Sequence, residues 1–378
     1  MKLLHVTNII SPHQIPLAKC LAELLGRENF RHATTMPMES ERVKMGWDCS
    51  AQDPWIMRVN ESAASLREYH RWWMEADVVL CGDRSLALME NRLGLGQLTF
   101  YMSERWWKPP LGMARLASPR FALMALRFRR LASCDYFHYL PIGHYAATDM
   151  QRWAGFRERS WLWGYFTAIP SSLPRSGLRE GGLKIICAGR MLDWKRVDIL
   201  IRGFEMLWRK DKTAQLTLIG DGPKRRSLEM LVQRLGLTEA VYFQSSLPMK
   251  EIWRRMYSSH VYVLPSNGYE GWGAVVNEAM TQECAVVSSM AAGSARTMIR
   301  HGENGLLFQP GDWRQLGELL YFLNINEPFR RRLANAGQQT VTGEWSPNVA
   351  AGRFLEVCNA LLSRTFPPAY ERGPMTSV

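Results

Sequence analysis

Short apolar runs alternate with amphipathic stretches along most of this chain. Lys2 to Thr7 reads as a buried strand. A polar loop, Asn8-Ile9-Ile10-Ser11-Pro12-His13-Gln14-Ile15-Pro16, follows it, and then a helix to about Leu25. Asp77–Cys81, Leu98–Met102 and Asp135–Leu140 read as further strands, with a helix from Gly143 to Trp153. The stretch from about Gly26 to Asn60 has no clear period. A second series is more regular: strands at Leu183–Ala188, Gln215–Ile219, Val241–Phe243, Val261–Leu264 and Ala285–Ser288. Helical patterns separate them at Val197–Arg209, Lys224–Leu235 and Met249–Tyr257, and Trp345–Leu362 reads as a terminal helix. Strands that alternate with helices predict parallel sheets covered on both faces. Ser171 to Gly182 is rich in Ser, Pro and Gly and reads as a linker.

Composition narrows the class. The chain has 378 residues, more than one core usually holds and enough for two domains. Its 47% hydrophobic content predicts a packed globule. Seven scattered cysteines without a CxxC pair argue for reduced thiols in the cytosol and against a zinc site. His5 and Asn8 interrupt any signal-peptide core, and no apolar run is long enough to span a bilayer. The formal net charge of +12 fits a basic surface, an anionic lipid surface, an anionic substrate or nucleic acid. No recognised nucleic-acid motif accompanies it, so no nucleic-acid partner is expected.

The charge concentrates between Arg105 and Arg130, which hold seven Lys or Arg and no acidic residue. The segment starts Arg105-Trp106-Trp107-Lys108 and continues into a helix with Ser118 at its N-cap and Pro119 at its first position. Phe121, Met124, Ala125 and Phe128 share one face, with Arg120, Arg127 and Arg130 off it. That pattern suits an amphipathic helix packed on the sheet. It also suits an element lying on an anionic membrane surface.

The chemistry gathers in two loops of the second series. After the strand Val261–Leu264 comes Ser266-Asn267-Gly268-Tyr269-Glu270-Gly271-Trp272-Gly273, and then a helix that carries Glu278. A glycine turn at a helix start offers free backbone N–H groups to an anion. A carboxylate there is suited to hydroxyls instead, as on a sugar. The second loop, Gly189-Arg190-Met191-Leu192-Asp193-Trp194-Lys195, carries a guanidinium fork and a mobile ammonium. Together they suit a diphosphate without a metal.

These two loops, with Gly220-Asp221-Gly222-Pro223 and Gly302-Glu303-Asn304-Gly305-Leu306-Leu307, resemble the retaining GT-B glycosyltransferases of family 4, the glycosyltransferase group 1, of the bacterial polysaccharide type. The resemblance covers about residues 183–310 and rests most on the spacing from Glu270 to Glu278. It implies an α/β fold of two Rossmann-like domains facing a central cleft. The divisions are then an acceptor domain over 1–170, a linker over 171–182, a donor domain over 183–345, a helix over 346–364 returning to the first domain, and a disordered tail over 365–378. It implies a metal-independent hexosyltransferase without a cofactor, moving a sugar from a nucleotide-diphosphate sugar to a glycan or lipid-linked acceptor. Gly189, Arg190 and Lys195 would hold the diphosphate, Glu278 the ribose, and Glu270 the transferred sugar beside Gly271, Trp272 and Gly273. Leu247, in the loop Gln244–Leu247, would flank the base. The expected place is the cytoplasm, at the inner face of the plasma membrane.

The first domain departs from the family pattern. Where the family often carries a histidine after a middle strand, this chain has Ser103-Glu104-Arg105. Glu104 is therefore a candidate to orient or deprotonate the acceptor. His13 either faces a bound sugar or serves the helix start. Thr297 stands where an acidic residue is common. A sugar-phosphate enzyme of the same architecture, a phosphorylase or epimerase, is the alternative function.

Overall fold

The computed structural model describes residues 1–39, 42–43, 47, 53–83, 85–156, 158–170 and 181–378. It divides into two compact units, Met1–Ala168 with Glu344–Val378, and Ile169–Gly343. Most of the expected linker, residues 171–180, lies outside the described residues.

The first unit has a six-stranded parallel sheet of β1 (Leu3–Thr7), β2 (Phe30–Thr34), β3 (Ile56–Arg58), β4 (Val78–Cys81), β5 (Leu98–Ser103) and β6 (Phe137–Pro141). Its order is β3-β2-β1-β4-β5-β6. The second unit repeats this plan with β7 (Lys184–Ala188), β8 (Gln215–Ile219), β9 (Val241–Gln244), β10 (Val261–Leu264), β11 (Ala285–Ser289) and β12 (Leu306–Phe308). Its order is β12-β11-β10-β7-β8-β9. Each is a doubly wound α/β unit, as the alternating pattern predicts. In each the order reverses between two central strands, β1 and β4 in one and β7 and β10 in the other. Loops leaving the carboxyl ends of such strands diverge and open a crevice.

The strands are short, and the central ones, β1, β4 and β10, are buried throughout and rich in Val and Leu. In the second unit the helix Val197–Lys210 turns Leu200, Phe204 and Leu207 into the core. Gly203 and Gly317 let it approach the helix Trp313–Ile325 closely. A Cβ on Gly317 would lie 3.0 Å from the Gly203 carbonyl oxygen.

The first unit is completed from the far end of the chain. The helix Pro347–Leu362 starts at a Ser346 cap, whose hydroxyl accepts from Val349 N at 3.3 Å. Phe354 is wholly buried between Phe100 and Trp163, with ring centroids 5.0 and 5.8 Å away. The tail corrects the expectation of disorder over 365–378. Met375 is buried, its N–H donates to the Leu162 carbonyl at 2.9 Å, and Val378 N donates to Ser160 at 3.1 Å. Its three prolines and one glycine hide a short pairing segment anchored by one apolar side chain.

The basic segment is also better tied down than its composition suggests. Trp106 and Trp107 are buried in the core of the first unit instead of standing at a surface. Arg105 pairs with Asp149 at 3.2 Å, Lys108 with Glu104 at 2.7 Å and Arg127 with Glu90 at 2.5 Å.

Candidate active site

In the second unit, the two loops singled out by sequence leave the two strands where the order reverses. Gly189 follows β7 with φ +147°, a conformation that L side chains rarely adopt. The loop from β8 crosses it so closely that a Cβ on Gly220 would lie 2.1 Å from the Gly189 carbonyl oxygen. Backbone bonds lock the crossing: Met191 N donates to Asp221 O at 2.8 Å, and Lys224 N to Met191 O at 3.0 Å. Arg190 is exposed at the start of this loop. A short turn, Asp193–Lys195, then brings Lys195 back across Trp194, with the ammonium 4.6 Å from that ring.

Lys195 reaches the loop after β10. Its Nζ donates to Oε2 of Glu270 at 2.6 Å, and Ser266 Oγ donates to the same oxygen at 2.8 Å. Glu270 is 7% exposed, so this ion pair is largely withdrawn from water. Asn267 N donates to the Trp194 carbonyl at 2.9 Å, which ties the two loops backbone to backbone.

The glycine turn has steric causes. Gly273 has φ +87°. A Cβ on Gly293, the first residue of the helix Gly293–Met298 that follows β11, would lie 2.1 Å from the Gly271 carbonyl oxygen. Ser294 occupies two carbonyls of the turn, its N–H on Trp272 at 2.9 Å and its hydroxyl on Gly273 at 3.2 Å. The helix that follows, Val275–Thr281, is only seven residues long. Its dipole is correspondingly short, so charge for an anion has to come from side chains.

Trp272 enters the turn through its backbone alone. Its indole is fully buried, with Nε1 donating to Asn277 Oδ1 at 2.9 Å, and so belongs to the core. Glu278 is buried in the first turn of the same helix. Burial pushes its carboxyl up to about 8, with Trp253 pulling back less strongly. Leu247 is half-buried at the end of a loop braced by Asp221. Asp221 Oδ2 accepts from Ser246 N at 2.8 Å and Oδ1 from Arg225 at 2.7 Å.

The remaining candidates lie in the first unit. Glu104, just beyond β5, accepts from Lys108 at 2.7 Å and from the Tyr165 hydroxyl at 3.3 Å. Burial, with Glu104 next, keeps the Tyr165 phenol protonated well beyond its ordinary range. His13 sits in the turn before the helix Ile15–Leu25, its N–H donating to Ser11 Oγ at 3.2 Å. Its ring lies 6.3 Å from that of Tyr165. Burial, and then Arg42, lower its pKa to about 4, so it is neutral at pH 7 and donates no charge. Tyr165 therefore joins the two first-unit candidates. Sequence missed it because it follows no regular element. Sequence missed the Ser266 contact too, although Ser266 stands four residues before Glu270, just beyond β10. Among the described residues, no three His, Cys, Asp or Glu side chains are grouped to hold a metal ion.

Residues 169–340 match the family described as Glycosyl transferases group 1. An exopolysaccharide phosphotransferase of Streptomyces coelicolor is 30% identical over 207 residues, covering 53% of this chain and 21% of that protein. The lipopolysaccharide core biosynthesis glycosyltransferase LpsE of Rhizobium meliloti is 27% identical over 173 residues, 46% of this chain and 48% of that protein. The chain thus spans between a fifth and about half of the length of these curated relatives. Among solved structures, Anabaena HepE in complex with UDP superposes with a TM-score of 0.70 at 17% identity, over 96% of this chain and 100% of that one. The GT-B fold is thereby established, and so is the resemblance of the second unit to group 1 glycosyltransferases.

Proposed function

With residues 169–340 as a group 1 glycosyltransferase unit, we propose that this chain is a retaining glycosyltransferase acting on a nucleotide-diphosphate sugar. The observation that carries the reading is the Lys195–Glu270 pair at the strand-order reversal of the second unit. It sets a cation suited to phosphate against a carboxylate suited to sugar hydroxyls. Arg190 and Lys195 hold the diphosphate, and Glu278 accepts from the ribose hydroxyls. Gly189 leaves room for the diphosphate, and Gly271 and Gly273 do so for the sugar. Leu247 lies against the base.

The bond between the sugar's anomeric carbon and the diphosphate oxygen breaks, leaving an oxocarbenium-like carbon and a charged leaving group. Arg190 and Lys195 stabilise that charge, and no metal is required of the reaction. An acceptor hydroxyl attacks on the face the phosphate leaves, and its proton passes to the departing phosphate oxygen. The products are a glycoside and a nucleoside diphosphate. Glu104, held by Lys108 and Tyr165, orients the acceptor, with neutral His13 beside it as a hydrogen-bonding group.

A melting-temperature panel of nucleotides and nucleotide sugars tests the donor. One base should raise the melting temperature by several degrees at millimolar ligand, as binding to the folded state alone requires. No stabilisation by UDP, GDP, UDP-glucose, GDP-mannose or their congeners would remove the reading.

The acceptor is a glycan or lipid-linked, met at an anionic membrane surface in cell-surface polysaccharide synthesis. Leu111, Met113, Leu123 and Leu126 are exposed beside Arg120, Arg129 and Arg130. A groove of about 480 Å³ runs between Leu86–Leu88 and the helix Pro119–Leu131, flanked by Arg120 and Arg127. Among the described residues, no helix is long and apolar enough to cross a membrane. Flotation with vesicles of anionic phospholipid should carry most of the protein upward at low salt, and neutral vesicles should not. Equal behaviour with both would end the membrane part of the proposal.

A further inference from the structure

The contacts of Glu270 divide its two oxygens unequally. Oε2 receives two donors, the Lys195 ammonium at 2.6 Å and the Ser266 hydroxyl at 2.8 Å. Each carboxylate oxygen has two lone pairs, so Oε2 is filled. Among the described residues Oε1 receives no protein donor. Ser266 is wholly buried two residues beyond β10, so its hydroxyl has little room to move. Lys195 is different. It is a long, mobile side chain, and an ammonium has three N–H donors, of which Glu270 uses one. A diphosphate in the loop would draw on the other two and pull the ammonium toward itself.

We propose that Ser266 is a positioning residue for the donor sugar: it holds the Glu270 carboxylate in place while the Lys195 ammonium bridges Oε2 and phosphate, leaving Oε1 to accept one sugar hydroxyl. This rests on the glycosyltransferase reading and adds a rule for the substrate. The site takes sugars that present a hydroxyl to Oε1. A deoxy sugar at that position would leave a buried carboxylate oxygen without a donor. Sites built around such a bond reject analogues that lack it far more strongly than apolar pockets reject a missing methylene.

The test has a donor-dependent arm and a donor-free arm. UDP-glucose and GDP-mannose are turned over by the parent, by Ser266→Ala and by Ser266→Cys, which keeps the shape with a weak donor and serves if the alanine variant folds poorly. The expected result is a KM within about twofold of the parent and a kcat lower by about 10- to 100-fold in both variants, as for one lost positioning hydrogen bond. With the monodeoxy forms of the accepted sugar, the parent should reject one by about 100-fold or more, and the variants should reject it markedly less. Parental kcat, or an equal loss of UDP or GDP binding, would overturn the proposal. The donor-free arm compares urea unfolding of Ser266→Ala, Glu270→Ala and the double variant. Non-additive midpoints are expected, because the two side chains share one bond. Additive midpoints would overturn the placement of Ser266 by themselves. If the parent turns over no nucleotide sugar while the midpoints are non-additive, the enzymatic reading fails and the Ser266–Glu270 coupling stands apart from it.

Discussion

Lys195→Ala should lower sugar transfer by about a thousandfold while leaving the fold intact, because it removes the mobile cation set against the leaving diphosphate. The variant should also melt lower. Glu270 keeps the Ser266 bond but loses its ion-pair partner in a site where it is 7% exposed. Stranding a largely buried carboxylate costs on the order of 3 kcal/mol. The two effects separate in a double variant. Lys195→Met with Glu270→Gln removes both charges and keeps most of the volume, so stability should recover while activity stays lost. Steady-state turnover with melting curves for the parent and both variants checks this. Near-parental turnover in Lys195→Ala would sink the assignment of the leaving-group site.

Glu278→Gln should weaken donor binding by about tenfold or more yet make the protein more stable in alkali, an effect on the order of a few kcal/mol. The sign follows from burial. Burial holds the Glu278 carboxyl at about 8 in the folded chain, against 4.5 for a glutamate in water. The folded state therefore holds a proton that the unfolded chain has released, and stability falls as pH rises from about 4.5 through 8. Glutamine cannot ionise, so it removes that slope and is the better residue above pH 8. Donor affinity runs the other way. Ribose hydroxyls donate best to the ionised carboxylate, so parental affinity should climb between pH 6 and 8 and flatten in the variant. Unfolding and donor titrations between pH 5 and 9 give both slopes. A parental stability independent of pH across that range in comparison with Glu278→Gln would contradict the burial argument.

The strands Gln215–Ile219 and Val261–Leu264 and the helix Met249–Tyr257 fall where the apolar pattern puts them. They are clean because each has one period and a polar or glycine boundary. The strand Phe30–Thr34 was not legible. Arg31 and His32 break its apolar run, and the buried His32 faces His5 of β1, the two Nδ1 atoms 3.0 Å apart. Such a pair is a tertiary fact with no local trace. The site shows the same divide. Spacing and loop position brought Lys195 and Glu270 together correctly. Spacing could not say that Trp272 turns inward to Asn277, because an aromatic in a glycine turn reads equally well as ligand contact or as core. It could not reveal the pairing of Glu104 with Tyr165 either, since 61 residues separate the two.

The first unit is built from both ends of the described chain, with the second inserted between them. Phe166, just before the insert, stacks on Trp345, just after it, with ring centroids 6.3 Å apart. Were the insert a random coil, joining those two points would cost about 4–5 kcal/mol of closure entropy, from the logarithm of its length. Once the second unit has folded, its own packing holds its ends and that cost largely disappears for the first. The continuous unit thus acts as an entropic clasp for the discontinuous one, and stability gained in residues 169–343 is passed on to a sheet that contains none of them.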